Sequence, residues 1–155
     1  MTKESPCKRF FSRINGMKTR IIVSAVVENC NGEILIGKKH PNRGVYLDAW
    51  HIPGGGIEEN ERIEESLKRE IKEETGLEIT DIEPIHFSDD IAAKIKDGQA
   101  EEIHMIFLEF KCKAGKSDFS PGDDLEVLKW IPKVEIKNYN LTPPGKKLFE
   151  FLGWI

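Results

Sequence analysis

The sequence predicts an α+β domain in which a mixed β-sheet lies between helices. Short β-branched runs alternate with hairpin-turn dipeptides, one helical pattern occupies the middle of the chain, and a second begins near its end. With 155 residues, 39% hydrophobic and 32% charged, the chain has the material for one domain with a real core.

The run from Arg20 to Val27 is β-branched and nearly continuous, which reads as a strand buried on both faces. Asn31-Gly32 is a hairpin turn, and Glu33 to Gly37 is the returning strand. A loop from Lys38 to Ala49 leads to a short strand, Trp50 to Ile52, which stops at Pro53 and the triplet Gly54-Gly55-Gly56. A helix follows from Glu61 to about Thr75, with Asn60 as N-cap and Gly76 as its stop. Ile79 to Ile91 reads as one or two short strands broken at Pro84, and Asp97-Gly98 turns the chain into a strand from Glu102 to Cys112. A polar loop then precedes the last strand, Glu126 to Ile131. Thr142 followed by Pro143 starts a terminal helix whose apolar face carries Leu148, Phe149 and Leu152. Residues 1–16 are polar and basic without a period and read as an N-terminal extension; residues 17–155 form the single domain.

Composition excludes several classes of function. Lys plus Arg is 23 against 27 for Asp plus Glu, a net charge of -4, so no basic excess points to a nucleic-acid partner. No apolar run is long enough to span a membrane, and the N-terminus lacks the apolar core of a secretory signal. Three well-separated cysteines, Cys7, Cys30 and Cys112, form neither a disulfide framework nor a zinc site and read as free thiols of a cytoplasmic protein. None of the four histidines shows metal-ligand spacing; His51 and His86 read as substrate contacts if they reach a pocket. Tyr46, Trp50 and Phe87 are the rings available to stack on a base, with the core as the competing role for Trp50 and Phe87.

The central helix resists a purely structural reading. On a helical wheel with Glu70 at zero, Ile63, Leu67 and Ile71 fall at about 20°, 60° and 100° and define a buried stripe. Lys68, Lys72, Glu65 and Arg69 lie opposite it as ordinary solvated charges. Glu70 and Glu74, at about 0° and 40°, instead fall on the edge of the stripe or inside it, with Glu73 beside them at about 300°. Glu70 and Glu74 repel each other at i,i+4 spacing, and Glu73 and Glu74 sit where the helix dipole disfavours anions. A hard cation among the carboxylates offsets all of these costs, and oxygen ligands suit Mg²⁺ or Mn²⁺. The glycine triplet just ahead of the helix lets backbone approach a ligand closely, its carbonyls facing a cation or its N–H groups facing phosphate oxygens.

Gly55, five residues, Glu61, seven residues, then Arg69-Glu70-Ile71-Lys72-Glu73-Glu74-Thr75-Gly76-Leu77 resembles the Nudix box in full. The likeness extends over most of residues 18 to 150 and implies an α/β/α sandwich with a central mixed sheet. It also implies Mg²⁺-dependent hydrolysis, with Mn²⁺ as a substitute, of a nucleoside diphosphate linked to another group. Carried over to this chain, Glu70, Glu73 and Glu74 are metal ligands together with the Gly54 carbonyl, and Glu61 and Arg69 support them. Glu70 is the first candidate for general base. Asp123 and Asp124, just before the last strand, are candidates for a further ligand or the base, being Asp where some relatives have Glu.

Segments outside the box narrow the expectation. Arg43-Gly44-Val45 followed by Trp50, then Phe87-Ser88-Asp89-Asp90-Ile91, Asp97-Gly98 and Glu101-Glu102-Ile103 before Met105 resemble an enterobacterial branch of the family. That branch comprises nucleoside triphosphatases preferring pyrimidine deoxynucleotides. The chain departs from it at Asn60, where Gly is usual, and at Pro143-Pro144. The implied reaction is hydrolysis of a nucleoside triphosphate to a monophosphate and pyrophosphate. Lys38, Lys39 and Arg43 are candidate phosphate contacts, Phe87 offers a ring face, and Asp89 or Asp90 offers hydrogen-bond acceptors. The alternatives are a hydrolase of GDP-mannose-like nucleotide sugars and a non-catalytic nucleotide sensor; the latter would be expected to lose box carboxylates, and all are present. The expected partner is a small nucleotide, with no nucleic acid or membrane, and a homodimer is the oligomer considered.

Overall fold

Strand β1 (Lys18–Glu28) runs through the middle of the sheet, where the β-branched segment places it. The structure, a computed structural model, describes residues 17–155; the expectation for residues 1–16 lies outside the described residues. The remaining elements are β2 (Glu33–Lys39), β3 (Trp50–His51), β4 (Gly54–Gly56), α1 (Ile63–Thr75), β5 (Ile79–Lys96), β6 (Gln99–Ala114), β7 (Leu125–Pro132), a 3₁₀ turn (Lys133–Asn138) and α2 (Pro143–Phe151).

Along one edge β1 pairs in parallel with β6, and its other edge is shared between β4, opposite Ile22 to Ser24, and β2, opposite Glu28. The sheet order is β3-β2-β1-β6-β5, with β7 joined to β2. The turn into β2 forms because the Asn29 side-chain oxygen accepts from the N–H groups of Asn31 and Glu33, both at 3.0 Å, while Gly32 takes a φ of 74°. Helix α1 covers one face, packing Leu67 and Ile71 on Val23, Ala25, Val27 and Leu35. Helix α2 covers the other, packing Leu148 and Phe149 on Val26, Ile34, Ile36 and Ile131. The result is the α+β sandwich with a mixed sheet that the sequence predicts.

Several elements differ from expectation for identifiable reasons. Burial of β1 on both faces holds for Val23 to Val27 but not for Lys18 to Ile21, where the sheet extends beyond its covering helices. Helix α1 starts at Ile63 with Arg62 as N-cap, not at Glu61 with Asn60 as N-cap. Asn60 sits in a tight turn at φ 63°, the left-handed region that glycine favours and asparagine tolerates. Ile63, in the first turn, is 46% exposed, and Ser66 and Thr75 join Leu67 and Ile71 on the buried side. Pro84 does not break β5: this edge strand shifts register between Thr80 and Glu83 and again between Pro84 and His86, which accommodates a residue without an N–H. At the C-terminus the Thr142 hydroxyl accepts from the Gly145 N–H at 3.3 Å, the N-cap expected there. No helix among the described residues is long and apolar enough to cross a membrane.

Candidate active site

The short strand β4 sets the backbone of the site. Its pairing with β1, bracketed by bonds from the Ala25 N–H to the Pro53 carbonyl and from the Ile57 N–H to the Ile21 carbonyl, directs the polar groups of Gly54 and Gly56 away from β1. There they meet α1. The Gly54 N–H donates to Glu74 Oε2 at 2.9 Å, and the Gly56 carbonyl accepts from Arg69 Nη2 at 3.1 Å. Between them Gly55 lies against the Glu70 carboxylate, where an added Cβ would stand 2.1 Å from Oε2.

Arg69 organises the acidic groups. Its Nε and Nη2 donate to the two oxygens of Glu61 at 2.6 and 2.8 Å, a fork matched to a carboxylate. Its Nη1 reaches Glu70 at 2.9 Å and Glu73 at 3.2 Å. The wheel makes Arg69 a solvated charge; the structure bends it back over the helix, with its side chain 24% exposed. Hydrogen bonding to Arg69 holds the Glu61 carboxyl down at about 2.

The loop before β7 completes the acidic side. The last turn of a helix leaves carbonyls unpaired, and here the Ser120 N–H donates to the Thr75 carbonyl and the Gly122 N–H to the Glu74 carbonyl, each at 2.8 Å. Gly122 comes so close that a Cβ would lie 2.5 Å from the Glu73 carbonyl oxygen. This tether brings Asp123 and Asp124 to Glu70, Glu73 and Glu74 around a cleft of about 530 Å³.

Electrostatically the cleft is under-compensated. Burial pushes the Glu74 carboxyl up to about 7 despite the Gly54 N–H and Lys39, with Glu70 and Asp124 raising it further. Burial also raises Glu70, against the opposing pull of Arg69. Among the described residues no three side chains converge as a ready coordination set, because Glu70 leans on Arg69 and Glu74 on Gly54. The donor chemistry nonetheless fits a hard cation: five carboxylates and outward-facing backbone at Gly54, with a buried carboxyl whose charge lacks a full counterpart.

Glu74 also lines a second space, which Gly54 borders, a cavity of about 200 Å³ on the α2 side of the sheet. Its apolar lining includes Ile22, Ile103, Met105 and Phe107, and the loop residues Val45 and Tyr46 lie over it, with the Tyr46 hydroxyl donating to Asp90. Lys39 and His51 line this cavity, as does Arg20, which the sequence reading missed. Arg43 stands outside on the surface, 3.4 Å from Asp124. Trp50 packs edge-on against Tyr139 beside the α2 core. Phe87 and Asp89 correct the expectation that they contact substrate. Both pair with the even-numbered residues of β6 and so face away from the cavity, Phe87 79% exposed and Asp89 bonded to His104 Nε2 at 2.7 Å. Two buried polar residues were also missed, Ser24 and Glu109, and strict alternation was the available signal: Ile103, Met105, Phe107 and Glu109 occupy one face of β6.

Comparison with known proteins shows the family and the fold. Nucleoside triphosphatase NudI of Escherichia coli K12 is 39% identical over 140 residues, spanning 88% of this chain and 99% of that protein. Among solved structures, a MutT protein from Methanosarcina mazei superposes with a TM-score of 0.65 at 21% identity, covering 89% of this chain and 94% of its own. The NUDIX domain of Shewanella oneidensis NrtR, solved with ADP ribose, gives 0.68 at 16% identity over 95% and 96%. These two show the fold. The NUDIX domain family model matches residues 18–152, and with that match and the NudI relationship the chain belongs to the NUDIX family, whose members generally use divalent metals.

Proposed function

We propose that this chain is a pyrophosphohydrolase that cleaves nucleoside triphosphates, pyrimidine deoxynucleotides foremost, to a monophosphate and pyrophosphate. The observation that carries the reading is the wall shared by two spaces. Glu74, held by the Gly54 N–H, lines both a carboxylate cleft suited to metal-bound phosphates and an apolar cavity suited to a ring. The nucleoside triphosphatase NudI, at 39% identity over nearly its whole length, supports the same substrate class.

In this reading Glu70, Glu73 and Glu74, with the Gly54 carbonyl, hold Mg²⁺, for which Mn²⁺ can substitute. The bound ion neutralises phosphate charge and lowers the pKa of water. Arg69 fixes Glu70 and Glu73 through its contacts and is itself fixed by Glu61. Lys39 faces both the cavity and Glu74 and meets the phosphates at the shared wall. Glu70 accepts the proton of the attacking water, with Asp123 and Asp124 as the other carboxylates in reach of the cleft. The water oxygen forms a bond to phosphorus, the phosphoanhydride P–O bond breaks, and pyrophosphate leaves with the electron pair. The cytoplasm is the compartment this reading assigns, where free thiols such as Cys30 and Cys112 persist.

The test is product analysis. Metal-stripped protein is supplied with Mg²⁺ and a panel of nucleoside triphosphates and nucleotide sugars, and phosphate and pyrophosphate are measured separately. Pyrophosphate release from triphosphates, absent without metal, is the expected result. A nucleotide sugar exceeding every triphosphate tenfold in kcat/KM, about 1.4 kcal/mol in transition-state binding, replaces the assignment with nucleotide-sugar hydrolysis.

A further inference from the structure

Glu109 is 2% exposed yet lines the apolar cavity. It sits on the rung of the sheet that runs Glu109, Ser24, Gly54 across β6, β1 and β4, two strand spacings or about 10 Å from Gly54, whose N–H holds Glu74. His86 Nδ1 lies 2.6 Å from Oε2, and with Glu109 ionised the ring nitrogen is the donor. The contact engages Oε2 and leaves Oε1 to the cavity side. His86 is held in turn against the Phe151 ring of α2, with centroids 4.5 Å apart.

A second acceptor waits in the same cavity. His51 Nδ1 lies 2.9 Å from the Ile52 carbonyl, so Nδ1 carries the proton. Burial keeps the ring neutral by pushing its pKa down to about 4. Nε2 is therefore a bare acceptor, buried with no partner. A largely apolar cavity that holds a buried carboxylate and an unpaired ring acceptor, with Arg20, Lys39 and Lys94 also in its lining, fits a flat ring that donates N–H, because such a ligand satisfies a group that is costly to leave unpaired. Its volume of about 200 Å³ is little more than the ~150 Å³ that holds benzene in an engineered apolar cavity, which suits one six-membered ring rather than a fused pair.

We infer that Glu109, positioned by His86, is a specificity-determining residue that accepts a hydrogen bond from the N–H edge of a pyrimidine base seated in this cavity. The inference rests on the nucleoside-triphosphate reading above. Oε1 receives the ring N3–H of uracil or thymine, or the exocyclic amine of cytosine. His86 is a positioning residue: it aims the carboxylate and does not itself touch the base.

The experiment compares kcat/KM for dTTP, dATP and N3-methyl-dTTP in the wild type, Glu109→Gln, Glu109→Ala and His86→Leu. Metal-free calorimetric binding of dUMP is measured alongside in each protein. In Glu109→Gln the His86 N–H takes the amide oxygen and turns the amide N–H₂ toward the base, so an acceptor becomes a donor without loss of volume. The dTTP-to-dATP ratio is expected to fall tenfold or more in all three variants, mainly through KM for dTTP. The wild type is expected to reject N3-methyl-dTTP at least tenfold, and Glu109→Ala to lose that rejection. Unchanged ratios in both Glu109 variants, or dUMP binding indifferent to them, overturn the assignment. If the wild type cleaves no triphosphate but binds dUMP in a Glu109-dependent way, the base site stands and the hydrolytic reading falls.

Discussion

Gly55 and Glu70 are in contact so close that no side chain fits between them: a Cβ on Gly55 would lie 2.1 Å from one carboxylate oxygen and 2.7 Å from the other. Position 55 is therefore glycine for the sake of a carboxylate, not a turn. Gly54 is different, since its added Cβ would strike the Val23 carbonyl at 2.1 Å and the Ser24 Cα at 2.6 Å, both backbone.

The two glycines are expected to separate activity from stability. In Gly55→Ala the flexible end of Glu70 swings away, so the protein keeps nearly its native melting temperature but loses activity, by about 10² for a group displaced by roughly 1 Å. In Gly54→Ala the backbone of β1 or β4 must move, and the melting temperature falls. Thermal melts and turnover on the same samples check the pair. A fully active Gly55→Ala would mean that Glu70 works from another position.

Arg69→Lys is expected to show that the guanidinium fork matters beyond its charge. Lysine keeps one cation but cannot give two parallel bonds to Glu61 while also reaching Glu70, Glu73 and the Gly56 carbonyl. Residues that orient ligands typically cost about 10–100-fold in metal affinity or activity when changed. A Mg²⁺ titration of activity should show a raised requirement for metal, whereas an unchanged titration curve would confine Arg69 to a structural role.

The carboxylates of α1 were legible in the sequence because helical periodicity puts Glu70 and Glu74 on an apolar stripe, a placement water alone does not explain. The glycines ahead of them were legible by position. What periodicity cannot show is a side chain that folds back: Arg69 points outward on the wheel, and only the tertiary approach of Glu61 and Gly56 draws it in. Pairing between distant strands was equally hidden. Phe87 and Asp89 carry attractive chemistry, but the two register shifts in β5 decide their face, and a one-residue slip reverses every side chain. The same registers put Glu109 inside, where a carboxylate in an alternating apolar run was the one clue.

Glu70→Gln is expected to reduce kcat by about 10²–10⁴, the range for loss of a general base, in a protein that retains its fold. Asp123→Asn and Asp124→Asn are the matching variants, since both aspartates reach the same cleft from the loop tethered to Glu74. Should Glu70→Gln lose less than about tenfold while one aspartate variant loses 10² or more, the base is that aspartate. Pre-steady-state rates at saturating Mg²⁺ distinguish a slowed chemical step from weakened metal binding.

Glu74 should make the metal-free protein less stable as pH rises. Its carboxyl is pushed from the ordinary 4.5 to about 7 by burial, so the folded state holds the proton more tightly than the unfolded chain. The contribution to stability is whole below pH 4.5, declines as the pH climbs, and is gone once it has passed through 7. At about 1.4 kcal/mol per unit the group is worth at most about 3–4 kcal/mol across that window. Glu70 and Glu109, also raised, act in the same direction, so the diagnostic quantity is a difference. Glutamine at position 74 stays neutral at every pH and keeps an oxygen for the Gly54 N–H, so Glu74→Gln should melt higher than the wild type at pH 8 and nearly with it at pH 5. Mg²⁺ added at pH 8 should narrow the gap by binding the native wild-type carboxylates. Melting temperatures from pH 5 to 8, with chelator and with Mg²⁺, read all three expectations. Parallel pH profiles for the two proteins would mean that Glu74 is ionised throughout and already compensated by Lys39 and the Gly54 N–H.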